Sequence, residues 1–258
     1  MKLLKDFKKY FPYVLESSKA ELKSQVSDSY LGWVWWILDP LLFMFVYSFV
    51  VKIVFGASID NFPIFVFIGL SVWNFFSSTA QSSTNIIRSY RAIITKVYLP
   101  KFTLVLITMV NNFVKMIISF GLIIIFLIFS NIKITVHVLH IIPLLITLIL
   151  LTSFISLVFA HFGVFISDLS NVVTVLLRLL FYLSGIFYSI TQLSKSLITV
   201  IELLNPVAFI INQFRNALMY GSVINYPILL YWFIIGFVGT LAATKLVYKY
   251  ENSYVKVI

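Results

Sequence analysis

Residues 141–166 read IIPLLITLILLTSFISLVFAHFGVFI, a continuous stretch without Asp, Glu, Lys or Arg. A helix needs roughly 20 predominantly apolar residues to cross the ~30 Å hydrocarbon core of a bilayer. Five other runs are also predominantly apolar, at residues 33–55, 62–80, 102–130, 172–189 and 226–248. Because the runs are continuous and not alternating, they favour helices over the strands of a membrane barrel. We therefore predict an all-α integral membrane protein with six transmembrane helices in a single domain, residues 1–258.

The composition leaves little room for a soluble catalytic domain. Hydrophobic residues make up 61% of the chain and charged residues 11%, whereas soluble domains have about 45–50% and 25%. The sequence contains no phosphate-binding loop, no Gly-rich nucleotide fingerprint and no paired-His metal motif, and it has no cysteine to supply a thiolate ligand. We expect a protein that is not an enzyme and that binds neither a metal nor a cofactor of its own.

The basic residues predict the orientation. Most of the 19 fall on one side of the six-span topology, and basic residues concentrate in cytoplasmic segments. We therefore expect both termini in the cytoplasm, and we attribute the net charge of +10 to anionic headgroups and not to nucleic acid. These residues are Lys2, Lys5, Lys8, Lys9, Lys19, Lys23, Arg88, Arg91, Lys96, Lys101, Lys245, Lys249 and Lys256.

Two segments are amphipathic and do not span. Residues 1–28 carry an apolar stripe at three- and four-residue spacing, which predicts an interfacial helix on the cytoplasmic leaflet ahead of the bundle of residues 29–258; a disordered basic tail is the alternative. Residues 193–220 are split by Pro206 into two pieces too short to cross. They predict a re-entrant helix pair between spans five and six, with an amphipathic surface loop as the alternative.

Ionisable groups within the spans are few. Lys115 and Arg178 are expected to contact anionic headgroups, either by snorkelling to the inner leaflet or by attracting an anionic substrate. The absence of a convincing midplane carboxylate disfavours a proton- or sodium-driven carrier. His137 and His140 make a poor metal site, and His161 is predicted to be a hydrogen-bonded packing residue.

Five short blocks occur in order along the chain. They are SYLGWVWWILDP at 29–40 with VFG at 54–56, GLSVWNFF at 69–76, TKVYLPK at 95–101, FISDL at 165–169, and NP at 205–206 followed by FRNAL at 214–218 and Gly221. Together they resemble motifs of the transmembrane permease subunit of ABC-2 type exporters of O-antigen, capsule or teichoic acid. Ser167 stands where the family usually has Arg, so the junction between spans four and five departs from the pattern.

The resemblance implies a partnership and a cargo. Two copies of the chain would form a homodimer above two copies of a separate ATPase, which would bind ATP and Mg. A lipid-linked polysaccharide would pass from the inner leaflet of the bacterial cytoplasmic membrane outward, among membrane lipids. An ABC-2 exporter of drugs or lipids is the alternative, and a membrane-embedded glycolipid-modifying enzyme is a third interpretation, disfavoured by the scarcity of Asp, Glu and His.

The resemblance also suggests residue roles. The junction after span two is expected to form a short helix that seats in the ATPase, with plain positive-inside anchoring as the alternative; its residues are Arg88, Arg91, Lys96, Tyr98, Pro100 and Lys101. Asn205, Pro206 and Arg215 would form an exit gate, where Arg215 meets a phosphate or snorkels to outer headgroups.

Flat aromatic faces suit a sliding sugar polymer, although Trp and Tyr also form interfacial belts. The aromatic candidates are Trp33, Trp36, Phe43 and Tyr47 on one face of span one, and Phe181, Tyr182 and Tyr188 on span five.

Overall fold

The computed structural model describes residues 2–27, 29–54, 59–133, 135–192 and 194–257. Within these ranges the chain is helical and contains no β-strand. The α-helices are α1 Lys2–Ser27, α2 Trp35–Ser48, α3 Phe62–Ser83, α4 Ile86–Ser89, α5 Arg91–Ile94, α6 Phe102–Phe129, α7 Ile141–Phe165, α8 Leu169–Leu183, α9 Lys195–Leu204, α10 Pro206–Leu218 and α11 Tyr226–Val257.

Five of the described helical segments are long and apolar enough to cross a membrane, and the bent pair of α9 and α10 raises the possible number to six. The five correspond to predicted spans one, two, three, four and six. The first is composite, because a 3₁₀ turn at Gly32–Val34 precedes α2 and a π-helical turn at Phe49–Val54 follows it. Phe55 and Gly56, the end of the predicted span and part of its motif, lie outside the described residues.

The fifth predicted span, residues 172–189, is shorter than expected. It forms α8, which has 15 residues and is therefore ~22 Å long, less than the ~30 Å of the hydrocarbon core. The helix ends because Gly185 adopts a left-handed conformation, with φ of +66°, in a turn that leads to Ile186 and Phe187. Apolarity alone did not reveal this end, since the residues on both sides of Gly185 are equally apolar.

Helix α3 is the centre of the bundle. It packs against α2, α6, α7, α8 and α10, and nearly all of its apolar side chains are buried. Helix α7 packs along α11 and also crosses the C-terminal end of α3. The crossing is close because Gly163 has no side chain: a Cβ there would clash with the carbonyl oxygen of Thr84.

The N-terminal segment is a helix, as its periodicity predicted, and it is docked on the bundle. Helix α1 packs along α6, where the Ser18 hydroxyl donates to the carbonyl of Ile107 at 3.3 Å. One turn further on, Asn111 Nδ2 donates to Glu21 Oε2 at 2.7 Å. The side chain of Val14 is buried in an apolar cluster with residues of α5, α6, α7 and α11.

The N-terminal helix, the junction after α3 and the end of α11 meet at one end of the bundle. The Tyr98 hydroxyl donates to Glu251 Oε1 at 3.0 Å, and the Tyr248 hydroxyl donates to Asp6 Oδ2 at 2.8 Å. The segments that carry most of the basic residues are therefore on the same side, as the six-span topology requires. We call this the basic end.

Candidate substrate path and coupling surface

A polar stripe runs along α3. From residue 62 to residue 83, the exposed positions are Asn74, Ser78 and Ser82, which follow one another at four-residue intervals. Residues four apart lie on one helical face, so the three side chains form a line from the middle of α3 towards the basic end. This stripe was visible in the sequence as polar residues inside an apolar run, and it was missed among the candidate residues.

Two residues of the stripe, Ser78 and Ser82, line a groove between α2, α3 and α8. The groove encloses about 750 Å³ and combines hydroxyl, amide and aromatic side chains with one cation, Arg178. We call it the polar groove. Its lining residues are Phe43, Trp73, Ser77, Ser78, Gln81, Ser82, Thr174, Leu177, Arg178, Phe181 and Tyr182.

Five aromatic rings from α2, α3, α8 and the turn after α8 contact one another, and three of them, Phe43, Trp73 and Phe181, line this groove. Tyr47 stacks with Phe43 at 6.1 Å between centroids and lies 4.2 Å from the ring of Phe187. Phe181 contacts the Tyr47, Phe187 and Trp73 rings at 6.4, 5.2 and 5.5 Å. We call these five residues the aromatic cluster. Trp73 and Phe187 are not among the path residues predicted from the sequence; Trp73 lies on α3, and Phe187 follows the end of α8.

The other aromatic candidates are not part of the aromatic cluster. Trp36 faces a second cavity, on the α6 side of α2, and Trp33 is 59% exposed in the 3₁₀ turn before α2. Tyr182 lines the polar groove, whereas Tyr188 lies beyond the end of α8 and is half-buried. The four aromatic residues of the first span therefore do not form one continuous track.

The two intramembrane cations have different surroundings. Arg178 is exposed on α8 and lines the polar groove. Lys115 of α6 lines the second cavity, donates to Gln25 Oε1 at 2.8 Å and lies 5.6 Å from the ring of Trp36. Gln25 is close to the C-terminal end of α1, so Lys115 also joins α1 to α6.

The junction between α3 and α6 differs from the expected single short helix. It contains two one-turn helices, α4 and α5, because the chain turns at Tyr90. A loop follows as far as Lys101, where the buried Leu99 and Pro100 return the chain to the bundle. The exposed part of this junction contains Arg91, Ile93, Lys96, Val97 and Tyr98.

Three of the junction residues face the bundle. Lys101 is only 4% exposed, its Nζ donates to the carbonyl of Leu99 at 3.0 Å, and burial lowers its pKa. Pro100 is buried, and Arg88 Nη2 donates to the carbonyl of Val164 on α7 at 2.9 Å. Lys101 and Pro100 therefore do not form part of the exposed surface, and Arg88 is half-buried against α7.

Tyr98 differs from its neighbours because it is both exposed and tied to the bundle. Its side chain is 55% exposed, and its hydroxyl bonds to Glu251 near the end of α11. Burial and the Glu251 carboxylate raise the pKa of Tyr98 to about 12. The hydroxyl therefore stays protonated near neutral pH and donates this hydrogen bond.

The predicted bend between spans five and six is confirmed. Helices α9 and α10 meet at an angle of 115° at Asn205 and Pro206. The Asn205 Oδ1 accepts from the backbone N–H groups of Val207 and Ala208, both at 3.1 Å, and Pro206 occupies the first turn, where no N–H is needed. Asn205 Nδ2 also donates to the Ser184 hydroxyl at 3.1 Å, which ties the bend to the end of α8.

Arg215 does not point towards an outer headgroup. It is 1% exposed, and its guanidinium donates to three backbone carbonyls: Phe65 at 3.0 and 3.1 Å, Gly185 at 2.7 Å and Ile186 at 2.9 Å. The guanidinium carbon also lies 3.4 Å from the Phe65 ring centroid. In this conformation Arg215 joins α10, α3 and the turn after α8, a set of partners different from the phosphate that the sequence suggested.

A buried carboxylate in the helix pair was also missed. Glu202 is 5% exposed, and its Oε1 accepts from Asn212 Nδ2 at 2.9 Å and from Gln213 Nε2 at 3.4 Å. The side chains thus connect α9 to α10 across the bend. The sequence showed these polar residues only as interruptions of an apolar segment.

The histidines have packing contacts. His161 Nδ1 lies 2.7 Å from the Tyr254 hydroxyl, in agreement with the predicted packing role. The rings of His137 and His140 are 5.2 Å apart. Across the described residues, no group of three or more His, Asp or Glu side chains is placed to hold a metal ion.

The helices, the bent pair and the polar groove define a multi-pass membrane protein of transporter type. A profile of the family described as ABC-2 type transporter matches residues 14–219. The chain therefore belongs to the ABC-2 type transporter family, and it is a transport subunit.

Named relatives agree with this assignment. The chain is similar to the O-antigen export system permease protein RfbA of Klebsiella pneumoniae, with 27% identity over 249 residues, or 96% of this chain and 95% of that protein. A second RfbA of the same organism is 25% identical over the same length. RfbA of Myxococcus xanthus is 26% identical over 216 residues, which cover 83% of each chain.

Proposed function

We propose that this chain is the permease subunit of an ABC transporter that exports a lipid-linked polysaccharide of the O-antigen class across the bacterial cytoplasmic membrane. The observation that carries the proposal is the polar groove, in which hydroxyl and amide groups of α3 face aromatic rings of α2 and α8. The relatives named as O-antigen export permeases support the same class of cargo. Capsule and teichoic acid polymers share the chemistry and are variants of this proposal.

The groove suits a polymer of sugars better than a purely apolar cargo. Sugar rings have apolar C–H faces that pack on aromatic rings, and their hydroxyls exchange hydrogen bonds with side chains such as Ser78 and Gln81. Many weak contacts allow a polymer to slide, by the same logic that requires a permeating ion to bind weakly enough to leave. Arg178 adds one cation for an anionic group.

The groove is open along one flank of the single chain. The two helices that flank it, α2 and α8, also carry exposed apolar side chains, including Leu42, Phe45, Val175 and Leu179. Exposed faces of this kind suit contact with lipid or with another protein. We propose that a second copy of the chain covers the flank, so that two grooves enclose one path between the subunits.

The force for transport would come from a separate ATPase, present in two copies with ATP and Mg. We propose that it contacts the exposed part of the junction, where Arg91, Lys96 and Tyr98 project from the basic end. In this topology both termini lie in the cytoplasm, as the positive-inside rule requires. Movement of the junction would reach α11 through Tyr98 and α7 through Arg88.

Export by vesicles that contain this chain and its ATPase tests the proposal. Tyr182→Ala, which removes an exposed ring from the groove, should lower the ATP-dependent rate of lipid-linked glycan export several-fold while the ATPase stays bound. Tyr231→Ala is the matched control, because Tyr231 is also exposed but lies on α11, outside the groove. Equal export by both variants, or transport of small amphiphilic drugs in place of glycans, would overturn the proposal.

A further inference from the structure

A second cavity lies between α2, α3 and α6, next to the polar groove, and the side chain of Ser78 lines both. It encloses about 370 Å³, enough for about 12 waters at the ~30 Å³ that each occupies in the liquid. Its lining is about half polar and includes two opposite charges, Asp39 and Lys115. We call it the inner cavity. Its lining residues are Trp35, Trp36, Asp39, Pro40, Asn74, Phe75, Ser78, Asn112, Lys115, Met116 and Ser119.

The inner cavity lies beside the start of the first membrane segment, where Trp35 and Trp36 line it. The continuous helical segment of residues 35–54 begins at the cavity and is ~30 Å long at helical rise, one hydrocarbon thickness. Trp33, Trp35 and Trp36 cluster where it begins, as tryptophans do at membrane interfaces. Lys115 lies at the same level, since its Nζ is 5.6 Å from the Trp36 ring.

The two charged side chains of the cavity can form further hydrogen bonds. Lys115 gives one of its three N–H groups to Gln25, which leaves two donors. Asp39 is exposed to the cavity, and its carboxylate accepts no hydrogen bond from any described residue. A charge that faces a cavity without a protein partner is satisfied by water or by a ligand of opposite charge.

Charge complementarity selects the ligand. A purely anionic headgroup would suit Lys115 but would be repelled by Asp39. A headgroup with both a phosphate and an ammonium satisfies both residues, and the Trp35 and Trp36 rings add a cation–π contact for the ammonium. The amides of Asn74 and Asn112 provide further donors for phosphate oxygens.

We propose that the inner cavity binds the headgroup of an amine-bearing phospholipid from the surrounding leaflet, with its phosphate on Lys115 and its ammonium on Asp39. The bound lipid would fasten α1 to the bundle, because Gln25 of α1 and the phosphate share the same lysine. This site goes beyond the proposed export function and does not depend on the cargo.

Native mass spectrometry of the full purified chain tests this proposal. The chain is exposed to equimolar dioleoyl phosphatidylethanolamine and dioleoyl phosphatidylglycerol, and retained lipid is counted. We expect wild type to retain the ethanolamine lipid about 10-fold over the glycerol lipid, a difference of about 1.4 kcal/mol. Asp39→Asn should abolish this preference, and Lys115→Met should lower retention of both lipids.

The matched controls are Asp60→Asn and Lys133→Met, which remove the same charges from exposed loop positions outside the cavity. Both should behave as wild type.

Asp39→Asn is the primary variant because it is isosteric and removes no hydrogen bond to a described residue, so the preference can be read in a folded protein. The proposal is overturned if wild type retains both lipids equally, if Asp39→Asn keeps the preference, or if added polyprenyl phosphate displaces the ethanolamine lipid. The last result would assign the cavity to the lipid end of the cargo.

Discussion

Gly69 of α3 makes room for the guanidinium of Arg215. A Cβ at position 69 would lie only 2.8 Å from Arg215 Nη2, so the glycine allows the arginine to reach the carbonyl of Phe65 on the preceding turn. Two of the short blocks recognised in the sequence, GLSVWNFF and FRNAL, are therefore in direct contact. This contact fixes α10, the second half of the bent pair, against the central helix.

We predict that Gly69→Ala destabilises the folded chain. The added methyl group must displace a guanidinium held by hydrogen bonds, and overpacking of this kind costs about 1–3 kcal/mol. The measurement is the thermal unfolding midpoint in detergent. Gly121→Ala is the control, because no atom lies within 4 Å of a Cβ at Gly121; it should keep or raise the midpoint, since Ala is favoured over Gly in a helix by up to about 1 kcal/mol. Equal midpoints for the two variants would contradict the contact.

Arg215→Lys should destabilise the folded chain nearly as much as Arg215→Met. Arginine reaches three carbonyls through a planar fork, whereas lysine has one nitrogen and a different geometry. Each hydrogen bond from a charged donor contributes about 1.5–3 kcal/mol, so loss of two should cost more than about 3 kcal/mol. The same unfolding assay applies, and full recovery by lysine would show that charge, and not the fork, matters at this position.

Tyr98→Phe should reduce coupling while the ATPase stays bound. The ring remains in the exposed surface, but the hydrogen bond to Glu251 is lost, so the junction no longer moves α11. The measurement is the number of ATP molecules hydrolysed per glycan exported, which should rise. Glu251→Gln keeps an acceptor oxygen and should have a weaker effect.

Tyr30→Phe is the matched control for Tyr98→Phe. Tyr30 is fully exposed before α2, so loss of its hydroxyl should leave the ratio of ATP to glycan as in wild type. An unchanged ratio in Tyr98→Phe would refute the proposed connection through α11.

Docking of α1 on α6 should weaken as the pH rises above about 4.5. Burial raises the pKa of Glu21 above its ordinary value of 4.5, and the hydrogen bond from Asn111 only partly offsets this. The docked state binds the Glu21 proton more tightly than the undocked state, so protonation of Glu21 stabilises docking. This stabilisation is complete below the ordinary pKa and is lost as the pH rises through the raised pKa. Glu21→Gln keeps an acceptor for Asn111 and should remove this dependence.

The chain lacks cysteine, so Ser18→Cys, at a buried position of α1, provides a single reporter of docking. Its rate of maleimide labelling, measured against a free thiol at each pH, should rise with pH and should flatten when Glu21→Gln is added. Glu16 is exposed, so Glu16→Gln should leave the pH profile unchanged. A profile that is identical with and without Glu21→Gln would rule out this group as its source.

Helix positions followed from the sequence because hydropathy and capping act locally. The start of α3 at Phe62, of α7 at Ile141 and of α11 at Tyr226 agrees with the apolar runs. The bend at Asn205 was also predictable, since asparagine caps a helix and proline suits its first turn.

The partners of polar residues were not predictable in the same way. Arg215 and Lys101 carry charges that usually indicate exposure, but both are buried. Arg215 donates to carbonyls of α3 and of the turn after α8, and Lys101 donates to the carbonyl of Leu99. Their burial depends on which helices meet in space, information that no local pattern holds. The early end of α8 was missed for a related reason, because the left-handed turn at Gly185 is conformational and does not change hydropathy.

Transport by sealed vesicles that contain this chain, its ATPase and a fluorescently labelled lipid-linked glycan tests the export function most directly. Both proteins and ATP should be required for the glycan to cross, and removal of either protein should stop it. Glycan transport by this chain alone, or ATP-driven transport that leaves the glycan in place, would contradict the conclusion that the chain is the passive path of an ATP-driven polysaccharide exporter.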